Sequence, residues 1–201
     1  IVSLGVVVGF PVFATVAMVY VPASHGAIVL GILPLATALF GALRFGERPS
    51  PGFWLTAFAG SAIVVVFALV DHQGGRHGLD PGFHPADLAL FAAVIAAAMG
   101  YAEGARLSQT MGGQQVISWA LVLSLPIMAI LTMVYWPPNL SGIAVPAWLS
   151  LGYVSVFSML VGFVFWYRGL AQGGIAAVGQ LQLLPPFFGL ALASTLLHEP
   201  V

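Results

Sequence analysis

The sequence predicts an all-α polytopic membrane protein, with about seven transmembrane helices present of an expected ten, laid out as two inverted five-helix repeats. Three observations predict it. Hydrophobic residues make up 60% of the 201 positions and charged residues 5%, where a soluble chain carries about 25% charge. Several uninterrupted apolar runs approach or reach the roughly 20 residues that span a bilayer, and the stretches between them hold nearly all of the charges. Finally, Pro34 and Glu47 recur as Pro186 and Glu199, each pair thirteen residues apart and the second pair 152 positions after the first. A proline inside a membrane helix removes one hydrogen bond and crowds the carbonyl four residues back, so it persists only where something else satisfies that carbonyl. The same interruption at the same distance from the same carboxylate points to one unit used twice.

Hydropathy and turn chemistry place the helices at 1–20, 25–45, 51–70, 87–108, 116–135, 147–170 and 174–197. Pro22-Ala-Ser24 separates the first two. Pro49-Ser50-Pro51 precedes the third, with Ser50 as N-cap and Pro51 in the first turn. Gly112-Gly113, Trp136-Pro-Pro-Asn139 and Gln172-Gly-Gly174 mark later breaks, and the longest loop runs from Asp71 to Ala86. A closed β-barrel would need alternating segments of about ten residues, whereas these runs are continuous.

Charge sets the orientation. Arg44 and Arg48 follow the second helix, Arg106 the fourth and Arg168 the sixth, so four of the five arginines share one side if the helices alternate. The positive-inside rule makes that side cytoplasmic and puts residue 1 there. Pro34 then lies five crossings before Pro186, and an odd offset inverts the second copy relative to the first. Residues 1–70 are read as the first repeat without its first two helices, 71–86 as an extracytoplasmic loop, and 87–201 as the second repeat without its last helix. The chain opens on Ile1 rather than Met and is read as a fragment. Two inverted halves with interrupted helices at the midplane is the plan of secondary transporters.

The same residues carry a resemblance. The stretches Gly31-Ile-Leu-Pro-Leu-Ala-Thr-Ala-Leu-Phe-Gly-Ala-Leu-Arg-Phe-Gly-Glu47 and Phe165-Trp-Tyr-Arg-Gly-Leu-Ala-Gln-Gly-Gly-Ile-Ala-Ala-Val-Gly-Gln-Leu-Gln-Leu-Leu-Pro-Pro186, with Tyr101 to Ser108 and Gly112 to Val122, resemble the drug/metabolite transporter superfamily. Within it they are similar to ten-helix exporters with two EamA-like domains. The resemblance implies export of a small solute across a bacterial cytoplasmic membrane by alternating access. Pro185 beside Pro186 departs from the single proline usual in that family, which bears on the local bend.

Candidate site residues are those whose polarity is costly at membrane depth. Glu103 is the one carboxylate placed inside an apolar span, and burying it ionised costs a few kcal/mol. It is the candidate for proton or cation coupling, against the plainer reading that Arg106, three residues on, pairs with it. Pro34 frees the carbonyl of Leu30 and Pro186 that of Gln182. Leu30, Gln180 and Gln182 are therefore candidate solute contacts beside the helix breaks at Pro34, Pro185 and Pro186. The alternative is that neighbouring groups satisfy these carbonyls. Tyr101 and Trp119 are further candidates, able to stack on a flat or cationic solute, as are Trp166 and Tyr167. For Trp119 and Trp166 the competing role is an interfacial anchor. Ala92, Ala96, Gly100 and Gly104 form a small-residue ridge suited to close helix packing.

Glu47 is read as a charge near the amino end of the third helix. No catalytic residues, cofactor or metal site are expected: the spacing of His72, His77 and His84 with Asp71, Asp80 and Asp87 fits no ligand pattern. The net charge of −1 argues against nucleic acid as a partner. The absence of lysine removes a Schiff-base photoreceptor from consideration, and an intramembrane hydrolase lacks paired nucleophile and base at depth. The expected partners are a small-molecule solute, protons and the lipid bilayer. A non-transporting membrane subunit or scaffold is the remaining alternative.

Overall fold

The computed structural model describes residues 1–21, 26, 29–73, 85–136, 142–185, 187 and 188, and side chains within 67–73 are left aside. Every regular element among the described residues is helical. In chain order they are α1 (Ser3–Met18), α2 (Leu33–Phe45), α3 (Pro51–Gln73), α4 (Pro85–Met111), α5 (Gly113–Val134), α6 (Val145–Gly173) and α7 (Ile175–Gly179), followed by a 3-10 turn at Gln180–Leu183. Three of them, α4, α5 and α6, are each long and apolar enough to cross a membrane.

The helices run past their expected ends where nothing in the sequence compels a stop. α3 continues to Gln73 rather than 70, and α4 continues to Met111 rather than 108. Gly112, at φ 80° and ψ 149°, then turns the chain into α5, a conformation open to glycine and strained for other residues. The expected continuation of the last helix to 197 lies outside the described residues, as do Pro186, Glu199, His25 and residues 74–84.

α4 is the centre of the bundle. It packs against α1, α2, α5 and the second half of α6, and its buried positions are mostly Ala and Gly. Lipid offers no hydrophobic drive for helices to associate, so small residues that let backbones approach are what hold them. A Cβ added at Gly5 would sit 2.4 Å from the Ala96 carbonyl, and one at Gly104 2.1 Å from the Tyr167 ring. The ridge of Ala92, Ala96, Gly100 and Gly104 thus receives α1 at its middle and Tyr167 of α6 at its end.

Two irregularities recur at matched positions. The first part of α1, Ser3–Gly9, is π-helical and reverts to α geometry at Phe10. In α6, Val154–Gly162 is π-helical and reverts at Phe163. Both switches fall inside Val-Gly-Phe, at Val8 to Phe10 and Val161 to Phe163, 153 positions apart. The second irregularity is the break before each proline. A turn at Gly31 and Ile32 precedes α2, and Leu183 and Leu184, 152 positions on, end the 3-10 turn before helical geometry resumes at Pro185. The break around Pro185 therefore begins ahead of the prolines, at Gln180. Neither proline can donate to a carbonyl four residues back, and the backbone tightens to i, i+3 bonding instead.

Candidate functional site

The two interrupted helices meet. α2 packs along α7 and the 3-10 turn, so closely that a Cβ on Gly179 would lie 3.2 Å from the Thr37 methyl. Gln180 donates from Nε2 to the Pro34 carbonyl at 3.3 Å. Gln182 donates from Nε2 to the Gly179 carbonyl at 3.1 Å and reaches the Thr37 hydroxyl at 3.5 Å. Buried Thr37 in turn donates to the Leu33 carbonyl at 2.9 Å. Polar groups beside one break thus serve the backbone beside the other, as expected where bent helices lie in a medium without water.

Next to this crossing is an open, cleft-like cavity of about 250 Å³, lined by Tyr101 of α4, Ser158, Gly162 and Trp166 of α6, and Gln182 and Pro185. Rings form one wall: Tyr101 lies 5.7 Å from Trp166, edge to face, and 6.0 Å from Phe163. No charged side chain lines it. The indole N–H of Trp166 and the side-chain oxygen of Gln180 are buried and have no hydrogen-bond partner among the described residues. A buried donor left unpaired costs about 1–3 kcal/mol, so the Trp166 N–H, whose ring lines the cavity, is a point at which a ligand or water gains by binding.

The site residues expected from sequence divide accordingly. Tyr101, Gln182 and Pro185 come together in the cavity, and Gln180, on the same 3-10 turn as Gln182, lies outside its lining and bonds to Pro34 of α2. Leu30 is not in the cavity lining and packs against the cluster of Leu33, Val94, Ala97 and Ala98, which Tyr101 also touches. Trp119 is 57% exposed on α5 and lines a shallow groove with Gln114, Gln115 and Ser118. Trp166, for which an anchoring role competed, instead turns into the cavity. Pro186 lies outside the described residues.

A polar cluster closes the arginine-bearing end. Glu103 pairs with the Arg44 side chain rather than with Arg106, because α2 packs on α4 and brings its terminal arginine over the carboxylate. The Arg106 guanidinium lies 5.6 Å from the centre of the Phe45 ring. Glu47 was missed by the sequence reading. It does not serve α3: its two carboxylate oxygens accept the backbone N–H groups of Ile175 at 2.6 Å and Ala176 at 2.7 Å. Gly46, left-handed at φ 71°, ends α2 and turns the chain so that Glu47 faces α7. The carboxylate thereby caps the N-terminus of α7, favourable both as hydrogen bonding and against the helix dipole. One signal was available. Gly173-Gly174 opens α7 with no Ser, Thr, Asp or Asn to cap it, so the acceptor has to come from elsewhere in the fold.

Residues 84–201 match the family described as "EamA-like transporter family". Across its whole length the chain is also 57% identical to the "Uncharacterized transporter YdeK" of Bacillus subtilis (strain 168), of which it covers 68%. The chain belongs to the EamA-like transporter family. A second relative, the "Uncharacterized transporter YvbV" of the same organism, is 22% identical over 96% of this chain and 66% of its own length. The fold matches a solved crystal structure at a TM-score of 0.80, with 22% identity, over 96% of this chain and 66% of the other. The chain therefore spans about two thirds of the proteins it resembles, and it is an integral membrane protein of the drug/metabolite transporter type.

Proposed function

We propose that this EamA-family chain is the greater part of a secondary transporter that carries a small solute out of the cytoplasm by alternating access, with the solute held beside the crossing of the two interrupted helices. The observation that carries the reading is that crossing: two breaks at equivalent positions, sharing hydrogen bonds, next to a ring-lined cavity without formal charge. Interrupted helices at the interface of two repeats are where secondary transporters bind their cargo. On this reading residues 1–70 and 87–201 are the two inverted repeats, 71–86 is the extracytoplasmic connection, and the end carrying Arg44, Arg48, Arg106 and Arg168 faces the cytoplasm.

Tyr101 and Trp166 supply flat apolar surface, and Gln182 with the Trp166 N–H supplies orientation. Such a pocket favours a flat solute with few formal charges, since nothing in its lining compensates a buried ion. Glu103 is the coupling group: it lies well inside α4, and its pairing with Arg44 of α2 links its protonation to the helix that carries the first break.

The test uses the full-length gene product in proteoliposomes, screened against amino acids, nucleosides, polyamines and cationic dyes. Flux of at least one solute, faster from the arginine-bearing face and reduced at least tenfold by Gln182→Ala or Trp166→Ala, supports the reading. Absence of flux for every class, in protein that remains folded, favours a non-transporting subunit.

A further inference from the structure

Where α4 ends, α5 begins and α6 nears its own end, the three helices border a second cavity, of about 600 Å³, which shares no lining residue with the ring-walled one. Its wall is rich in hydrogen-bonding groups: Ser108 and Gln109 of α4, Gln114 and Gln115 of α5, and Arg168 and Gln172 of α6. None of these six side chains makes a hydrogen bond or ion pair with a described residue. Ser108 is 8% exposed, and a buried hydroxyl without a partner is costly. The cavity it lines is where a partner would sit. Arg168 supplies the only formal charge of the lining, and no carboxylate balances it there.

The recess continues below the helix ends. Gln114 and Gln115 also begin a groove of about 340 Å³ that runs along α5 past Ser118 and Trp119 to Val122. At 1.5 Å per residue this is about 12 Å of helix, leading from the start of a span long enough to cross a membrane toward its middle. The lining turns from polar to apolar along the way, and Trp119 and Val122 are both exposed. Trp119 lies within two turns of the helix start, the depth at which indole rings sit beside lipid headgroups. A polar chamber at the membrane surface that opens into an apolar groove at membrane depth has the form of a lipid: head above, acyl chain below.

The charge of the chamber narrows the headgroup. A guanidinium pairs with phosphate through parallel hydrogen bonds, and basic pockets between membrane helices hold anionic headgroups. A choline or ethanolamine ammonium finds no carboxylate in the lining to compensate it. Carboxamides both donate and accept, which suits the hydroxyl groups of a glycerol head. We infer that this recess holds one anionic glycerophospholipid with a hydroxylated headgroup, its phosphodiester on Arg168 and an acyl chain along Trp119 and Val122. The inference rests on the membrane placement of α4, α5 and α6, and not on any solute or direction of transport.

The test uses the full-length protein, purified in detergent and stripped of lipid, and titrated in native mass spectrometry with dioleoyl phosphatidylglycerol, dioleoyl phosphatidylcholine and glycerol 3-phosphate. Phosphatidylglycerol is expected to fill a single site about tenfold more tightly than phosphatidylcholine, and glycerol 3-phosphate to leave it empty at the same concentrations. Arg168→Gln is expected to weaken phosphatidylglycerol about tenfold, with most of the affinity kept by Arg168→Lys, and Gln115→Leu to weaken it about fivefold. Arg48→Gln, outside the recess, leaves it unchanged. Equal binding of the two lipids reports unselective contact with the bilayer and overturns the inference. Displacement by glycerol 3-phosphate at comparable concentration makes a soluble phosphate ester the ligand and overturns the lipid assignment. Undiminished binding in both Arg168→Gln and Gln115→Leu places the lipid elsewhere, and the absence of any selective site shows that another part of the full-length chain fills the recess; either result refutes it.

Discussion

The carboxylate of Glu47 receives the backbone N–H of Ile175, 128 positions away, at 2.6 Å. With the second oxygen on Ala176, one side chain ties the end of the first broken helix to the start of the other. Under the proposed alternating access this contact would act as a latch at the arginine-bearing end, since parting α2 from α7 there requires both bonds to break.

Removing the latch is expected to destabilise the fold. Glu47→Ala leaves two N–H groups at a helix start without their acceptor, a loss of about 1–3 kcal/mol, and Glu47→Gln, which keeps one oxygen as acceptor, loses less. Thermal unfolding of the full-length protein in detergent reads the order wild type, Gln, Ala. Equal midpoints for all three would show that the cap contributes nothing.

The two glutamines have separable roles. Gln180 satisfies the Pro34 carbonyl and does not line the cavity, so Gln180→Leu is expected to lower stability by about 1 kcal/mol with KM little changed. Gln182 lines the cavity, and Gln182→Ala is expected to raise KM while also losing about 1 kcal/mol with its bond to the Gly179 carbonyl. The reverse pattern would exchange the assignments.

Aromatic substitutions divide along the same boundary. Trp119→Ala, on an exposed face of α5, is expected to leave flux within about twofold of wild type. Trp166→Ala removes a cavity wall and is expected to cost on the order of 1–3 kcal/mol of solute affinity, or about 5- to 150-fold. Equal effects on solute competition would place the binding site elsewhere.

Backbone proximity makes a sharper stability prediction. Gly104→Ala drives a methyl into the buried Tyr167 ring and is expected to cost about 1–3 kcal/mol. Gly52→Ala meets only the Ser50 hydroxyl at 3.8 Å, and it is expected to be neutral or to stabilise by up to about 1 kcal/mol through helix propensity.

The Arg44–Glu103 pair bears on coupling. Arg44 is half exposed and Glu103 12% exposed, so a double-mutant cycle on stability is expected to return about 0.5–1 kcal/mol. If Glu103 carries the coupling proton, Glu103→Gln abolishes the pH dependence of flux while folding persists. An unchanged pH profile in that variant would remove Glu103 from the coupling role and leave the solute site untouched.

How far the sequence reached depends on the range of the interaction concerned. Helix positions were legible because each turns on a local property: apolar runs, the turn chemistry of Pro22, Pro51 and Gly112-Gly113, and the need of every backbone group in lipid for an intrahelical partner. Boundaries at 70 and 108 fell short because α3 and α4 continue through polar residues that a helix end at the membrane surface tolerates. In the candidate site, the prolines drew attention to the right backbone and Gln182 to the right amide. Trp166 was read ambiguously because an indole suits an interface and a pocket equally well until its neighbours are known.

By itself the sequence determined the solvent, the all-helical class and the existence of two like breaks, all consequences of composition and of spacing along the chain. Only the tertiary structure decided which groups meet across it: Glu47 on Ile175 instead of on α3, Arg44 instead of Arg106 on Glu103, and Gln180 on Pro34. Partners of that kind are selected by distances between helices far apart in the chain, and those distances are set by small-residue contacts, on α4 and at Gly41 and Gly179 between α2 and α7, that leave no pairing signal in any local stretch of residues.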